Sequence, residues 1–208
     1  MAITTYAQLK AAVITWSHRE DLDLLIDDFI DLTESEMLTN PTTPLSVRGE
    51  ESLQTASMST SSRFLELPSR YKKIRRAQLI VNSQRVDLVY RTPEQLRVYD
   101  GTGTPHFFTV TTQFEFDITP DQAYTIELQC LVDLAALSSS NTTNAVLTAS
   151  PNVYLYGCLW AAANYGNDTE MAASYYSQFL SAIDGLNNKD RLGRYGPAPV
   201  MRIEGCTP

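Results

Sequence analysis

Residues 151–186, PNVYLYGCLWAAANYGNDTEMAASYYSQFLSAIDGL, decide the fold. Leu155, Cys158, Leu159 and Ala162 recur at helical spacing up to Gly166, and Ser150-Pro151 marks the start. Asn167 or Asp168 then caps a second helix, whose stripe is Met171, Tyr175, Phe179, Ala182, Ile183 and Leu186. Two amphipathic helices joined by so short a turn pack antiparallel.

The other end of the chain is helical as well. Over residues 5–17, Thr5 and Gln8 have capping-box spacing, and Leu9, Ala12, Val13 and Trp16 fall on one face. A second helix is expected over 21–39. Leu22, Leu25, Ile26, Phe29 and Thr33 form its buried stripe, Asp23, Asp27, Asp31 and Glu34 its wet side, and Asn40, Pro41 and Pro44 end it.

Between these ends the composition turns to β-formers. Short segments near 52–58, 63–67, 73–81 and 85–90 are separated by Pro68-Ser69 and Asn82-Ser83. Thr92-Pro93-Glu94-Gln95-Leu96 has a cap and a first-position proline, a helix start. Residues 100–105 are a turn. Strands over 107–110, 113–116 and 124–132 complete a small antiparallel sheet, with Thr119-Pro120-Asp121 as a hairpin turn. SSSNTTN at 138–144 is a polar loop.

The expected class is α+β: N- and C-terminal helices form a bundle, a small antiparallel β domain is inserted, and the tail is extended. The divisions are residues 1–50, 51–137, 138–188 and 189–208, the last rich in Gly and Pro with Val200, Met201 and Ile203 in need of cover.

A hydrophobic fraction of 43% supports a real core. The opening residues lack a basic segment followed by an apolar run, and no window approaches a membrane span, so a soluble, cytoplasmically made protein is expected. Cys130, Cys158 and Cys206 are far apart and in no CxxC pairing, which disfavours a disulfide framework or zinc site; Cys130 and Cys158 read as small buried residues.

The net charge of −8 is segregated. Residues 63–97 carry nine basic and three acidic side chains, whereas 98–188 carry nine acidic and no Lys or Arg. Either the basic stretch binds nucleic acid, or opposite blocks meet within the fold or between copies. The acidic total argues against tight DNA binding, because phosphate neutralisation dominates that affinity.

Chemistry is sparse. His18 closes the first helix and His106 follows a turn, neither in HExxH or HxH spacing. Gly101-Thr102-Gly103 lacks the rest of a nucleotide-binding fingerprint, and no GxSxG occurs. The acidic pairs Asp27 with Asp31 and Glu34 with Glu36 suit glycoside hydrolysis in residue type alone, since they sit on a solvated helix face. No catalytic residue, metal ligand or cofactor is expected.

Several ordered segments together resemble the head–tail adaptor proteins of short-tailed bacteriophages: TTYAQLKAAVITW, DDFIDLTESEML, FLELPSRYKKIRRAQL, RTPEQL, NAVLTASPNVYLYGCLWAAANYGND and YYSQFLSAIDGLNNKDRLGRYG. LPSRY before a strand, TPEQL and the LTxxPNxYLYG helix start carry most of the likeness. Where similar chains end the second helix in an Arg-rich stretch, this one has LTNPTTPLSVRGE.

The resemblance implies a bundle with a β insert, assembled as a ring of commonly twelve copies beneath the portal at the head–tail junction of the virion. Assembly would take place in the host cytoplasm. It also implies partners: the portal above, tail nozzle or fibre proteins below, and genomic DNA passing through the channel without sequence-specific binding. The segment 189–208 would reach along the portal, with Arg191, Arg194, Tyr195, Val200, Met201 and Ile203 as its contacts. Arg75 and Arg76 in the basic block are expected at the subunit interface. Another neck or tail subunit, or a cell-wall hydrolase, is the alternative.

Overall fold

The computed structural model describes residues 3–194, with the side chain of Arg194 left out. The chain divides into two units: a helical one from the residues up to Gly49 and from Leu134 onward, and a β-rich one over Glu50–Asp133.

The helical unit begins with α1 (Tyr6–Ser17), capped where expected: Thr5 Oγ1 accepts from the Gln8 amide at 3.4 Å. The return bond is shifted by one residue, with Gln8 Oε1 accepting from the amide and hydroxyl of Thr4 at 2.8 Å. Leu9 and Val13 are buried, but Trp16 stands half exposed at 52%. His18 ends the helix in a left-handed conformation, φ 52°.

The second helix differs at its start. Glu20–Leu25 is a 3₁₀ turn, and α2 proper is Ile26–Thr39. Arg19 offers no capping acceptor and instead pairs with Asp21 at 2.6 Å, so tighter bonds close the first turns. Of the expected stripe, Leu22, Ile26, Phe29 and Thr33 are buried and Leu25 partly so; Ile30 and Met37 join them. Asn40 ends the helix by turning its Oδ1 to the amides of Thr42 and Thr43.

After the polar loop come α3 (Ala145–Ala149), α4 (Pro151–Tyr165) and α5 (Thr169–Arg194). The short α3, absent from the sequence reading, is capped by Asn144 Oδ1 on the Leu147 amide at 2.9 Å. α4 is buried on nearly every side and packs against α1, α2, α3 and α5. Asp168 caps α5, its Oδ1 accepting from the Met171 amide at 3.0 Å.

Two expectations need correction here. α5 does not stop at residue 188, because residues 189–194 continue it. Asn188 Nδ2 donates to Asp184 and Arg191 Nη2 to Asn188, contacts at helical spacing, and Asp190 pairs with the distant Arg48 at 2.9 Å; together they support the last turns. The stripe of α5 runs through Ala172, Phe179, Ile183 and Leu186, while Met171 is exposed. Residues 195–208, with Cys206 and the rest of the expected tail, lie outside the described residues.

The β unit holds β1 (Glu51–Ser57), β2 (Phe64–Leu65), β3 (Tyr71–Val81), β4 (Gln84–Asp87), β5 (Val89–Tyr90), β6 (Thr102–Gly103), β7 (Phe107–Val110), β8 (Phe114–Phe116), β9 (Thr119–Pro120) and β10 (Thr125–Val132). One sheet, ordered β1-β10-β3-β4, is antiparallel throughout. The second, β2-β8-β7-β5, ends in a parallel β5–β7 pair, and β6–β9 is also parallel. The insert is therefore mixed, not purely antiparallel.

Thr119-Pro120 is consequently a strand partner of Thr102-Gly103 and not a hairpin turn. Thr92–Leu96 closes a single turn, with the amides of Gln95 and Leu96 on the Thr92 carbonyl, and goes no further. The chain beyond it is drawn out to Tyr99, whose amide donates to the Asp117 carbonyl. The β3–β4 hairpin uses Asn82 and Ser83 at φ 49° and 64°, a turn whose twist matches the strands it joins. Phe114, Phe116, Leu79, Ile126 and Cys130 are fully buried at the centre of the unit.

Candidate functional site

Of the carboxylates that could have served hydrolysis, Asp27, Glu34 and Glu36 are engaged. Asp27 pairs with Lys10 at 2.9 Å and accepts from the Tyr6 hydroxyl, and these bonds hold its carboxyl below the usual range. Tyr6 is pushed up to about 12, first by desolvation and then by Asp27. Glu36 accepts from the Tyr176 hydroxyl at 2.7 Å and from Asn40 Nδ2.

Glu34, expected on the wet side, points inward. It accepts from the Leu137 amide at 2.9 Å and the Tyr154 hydroxyl at 2.8 Å, and desolvation raises its pKa despite both bonds. Asn144 Nδ2 donates to the same hydroxyl at 2.6 Å and to the Ala135 carbonyl, so one network ties α2, α4 and the loop before α3 together. Cys158 is buried beside Thr33, its thiol pushed up to about 12 by burial, and neither it nor Cys130 is in a disulfide. Among the described residues no three His, Cys, Asp or Glu side chains group to hold a metal, and no helix is long and apolar enough to cross a membrane.

One surface of the β unit gathers charged and apolar side chains. In β10, alternate residues Ile126, Leu128, Cys130 and Val132 turn into the core, which sends Glu127, Gln129 and Leu131 to the outer face. Through the register, Glu51, Leu53 and Thr55 of β1 and Lys73, Arg76 and Gln78 of β3 share that face. A shallow depression of ≈ 390 Å³ runs over Glu51, Leu53, Arg76, Gln78 and Glu127.

Arg76 forks onto Asp87 at 2.9 and 3.4 Å, with Gln78 Nε2 on the same carboxylate, and the guanidinium chiefly holds Asp87 below the ordinary range. Arg85 grips both oxygens of Glu127 at 2.8 Å, to the same effect. Arg75 reaches Glu51 at 3.4 Å, Lys72 reaches Glu50 at 2.9 Å and Arg63 reaches Glu115 at 3.1 Å. The basic block thus meets acids inside its own unit, the within-fold alternative posed by the charge pattern.

The two β3 residues expected at a subunit interface are neighbours on the sheet, with side chains 41% and 55% exposed for Arg75 and Arg76. The register shifts at Arg75, where β3 bulges against β10. Arg191 lies on α5, while the Arg194 side chain, Tyr195, Val200, Met201 and Ile203 fall outside the described residues. Leu53, 71% exposed in mid-strand, is the surface residue the sequence reading missed. Its only signal was an apolar residue on the polar phase of an alternating strand.

A family model described as SU10 adaptor protein matches residues 4–202. No curated protein matches the chain.

Proposed function

The chain belongs to the SU10 adaptor protein family, head–tail adaptors of short-tailed phages, and from that premise we propose that it works by assembling as a ring beneath the portal. The match over residues 4–202 carries this reading, since it spans both units. The ring, of twelve copies, bridges the portal to tail nozzle or fibre proteins and encloses a channel for the genome at the head–tail junction. Its role is mechanical. An acidic chain repels the DNA that has to slide past it.

Arg75 and Arg76 belong to the contacts between copies. Both guanidinium groups are exposed in their present ion pairs, and pairs at the surface exchange partners at little cost. Arg191, Arg194, Tyr195, Val200, Met201 and Ile203 form the portal contact, in which an apolar trio flanked by cations gains a covering surface.

Electron microscopy of the protein with its phage's portal, beside each component alone, tests the proposal. A ring of density added beneath the portal, and countable by symmetry, is the expected result. No added density would overturn the ring and shift the assignment to another neck or tail position.

A further inference from the structure

At each edge of the four-stranded sheet of the β unit, a stretch of strand has a neighbouring strand on one side only among the described residues. β1 keeps an unbroken register with β10 from Glu51 to Ser57 and contains no Lys, Arg, Pro or bulge. Those are the devices by which edge strands discourage pairing. Leu53 stands at its middle, largely exposed.

At the opposite edge β4 covers only Gln78–Val81. The preceding stretch of β3, Lys72–Arg76, pairs with β10 on one side; on its other side no strand lies among the described residues, and it borders a crevice of ≈ 750 Å³ floored by Ile74, Leu88, Tyr90 and Phe108.

These stretches are level with each other. Through Leu131, Cys130 and Gln129 of β10, Glu51 aligns with Lys73, Ser52 with Ile74 and Leu53 with Arg76. Their charges are opposite: β1 opens on Glu51, while β3 brings Lys73, Arg75 and Arg76. Lys73 makes no ion pair among the described residues. One edge is therefore long and undefended; the other is basic, bulged at Lys72 and Arg75 and beside an open crevice, features that turn away strands in general and leave a strand bringing an acid as the one it can take.

We infer that β1 of one copy adds to the free stretch of β3 in the next, continuing the sheet from subunit to subunit; this rests on the ring reading above. The contact uses two different edges, so it is head-to-tail, the kind that closes into a ring when the rotation allows. Strand addition gains main-chain hydrogen bonds, and the charges select the partner edge. Glu51 of the incoming strand meets Lys73, and Arg75 and Arg76 sit at the seam.

Disulfide trapping tests this in full-length protein carrying Cys206→Ser. Chains with Leu53→Cys are mixed with chains carrying Lys73→Cys or Arg76→Cys, bound to portal and oxidised. Within one chain these positions are separated by β10, about 9–10 Å across two strand spacings and beyond disulfide reach. Covalent dimers are expected only in a mixture and only on the portal.

A ring visible by microscopy with no mixed dimer in either pairing overturns the strand addition and leaves the ring standing. Dimers of Leu53→Cys chains alone overturn it in favour of a symmetric β1 contact. If unmodified protein forms no ring, both readings fall together.

Hydrogen exchange on the unmodified protein gives a second reading independent of the variants. The alternate amides within Leu53–Ser57 and Lys73–Arg76 that point away from β10 should slow at least tenfold on ring formation. Unchanged exchange in both stretches sinks the proposal.

Discussion

Gly157 lies where α4 crosses α2, and a Cβ there would stand 2.2 Å from Thr33 Cγ2 and 3.1 Å from the Phe179 ring. Neither neighbour is the far end of a flexible chain, so Gly157→Ala should lower the unfolding free energy by about 1–3 kcal/mol in a urea titration. Thr33→Ser removes the clashing methyl and should restore part of that loss in the double variant; equal loss would show that the hydroxyl, 2.9 Å from the new Cβ, and the Phe179 ring dominate instead. Glu34 gives a second residue-scale prediction. Its pKa is raised in the folded state, so its stabilising balance is complete below the ordinary glutamate value of about 4.3 and is lost as pH rises through the folded pKa. Glu34→Gln removes that dependence while leaving an acceptor for Tyr154. The variant should therefore gain on the wild type between pH 4 and pH 7, read as urea midpoints, and a constant difference would mean that Glu34 titrates normally.

At the level of elements, the β3–β4 hairpin holds Ser83 at φ 64°, a conformation that costs a serine roughly 1 kcal/mol and a glycine almost nothing. Ser83→Gly should raise the stability of the protein by up to about 1 kcal/mol in thermal unfolding, with no change in the strands. Helices were the most legible elements in the sequence because burial there follows a 3.6-residue period over a dozen positions or more. The cap at Thr5, the stop at Asn40 and the stripe Phe179, Ile183 and Leu186 all stand where the pattern put them. Two-residue strands carry no period, and Thr119-Pro120 looks like a turn until Thr102-Gly103 comes alongside from seventeen residues earlier. Glu34 was misread for a related reason: a carboxylate on the polar phase is taken as wet unless Tyr154, 120 residues away in sequence, is known to face it. The candidate surface was half visible. The basic block and its two arginines could be read locally, but its acidic partners Glu51 and Glu127 come from other strands, and an unpaired edge is a property of topology.

For the molecule as a whole, the charge blocks cancel inside the β unit, which leaves assembly to shape and main chain as much as to charge. Arg75→Glu with Arg76→Glu should keep the fold, since both side chains are exposed and the sheet's core lies on its other face. It should nevertheless abolish ring formation on the portal, because each substitution sets a carboxylate beside Glu51 or Asp87 and against an incoming acidic strand. Microscopy beside circular dichroism checks this: normal rings with a normal spectrum would remove the pair from the interface. The same topology orders events during synthesis. α1 and α2 pack against α4, yet every residue of β1 through β10 is made between them. At roughly 5–20 residues per second, the buried face of α2 waits several seconds on the ribosome for its partner. Meanwhile the insert, complete at Asp133, is free to fold first. Early helices without a docking surface are what chaperones bind, so the nascent chain spends its vulnerable interval with its N-terminal helices, not its sheets, in need of shelter.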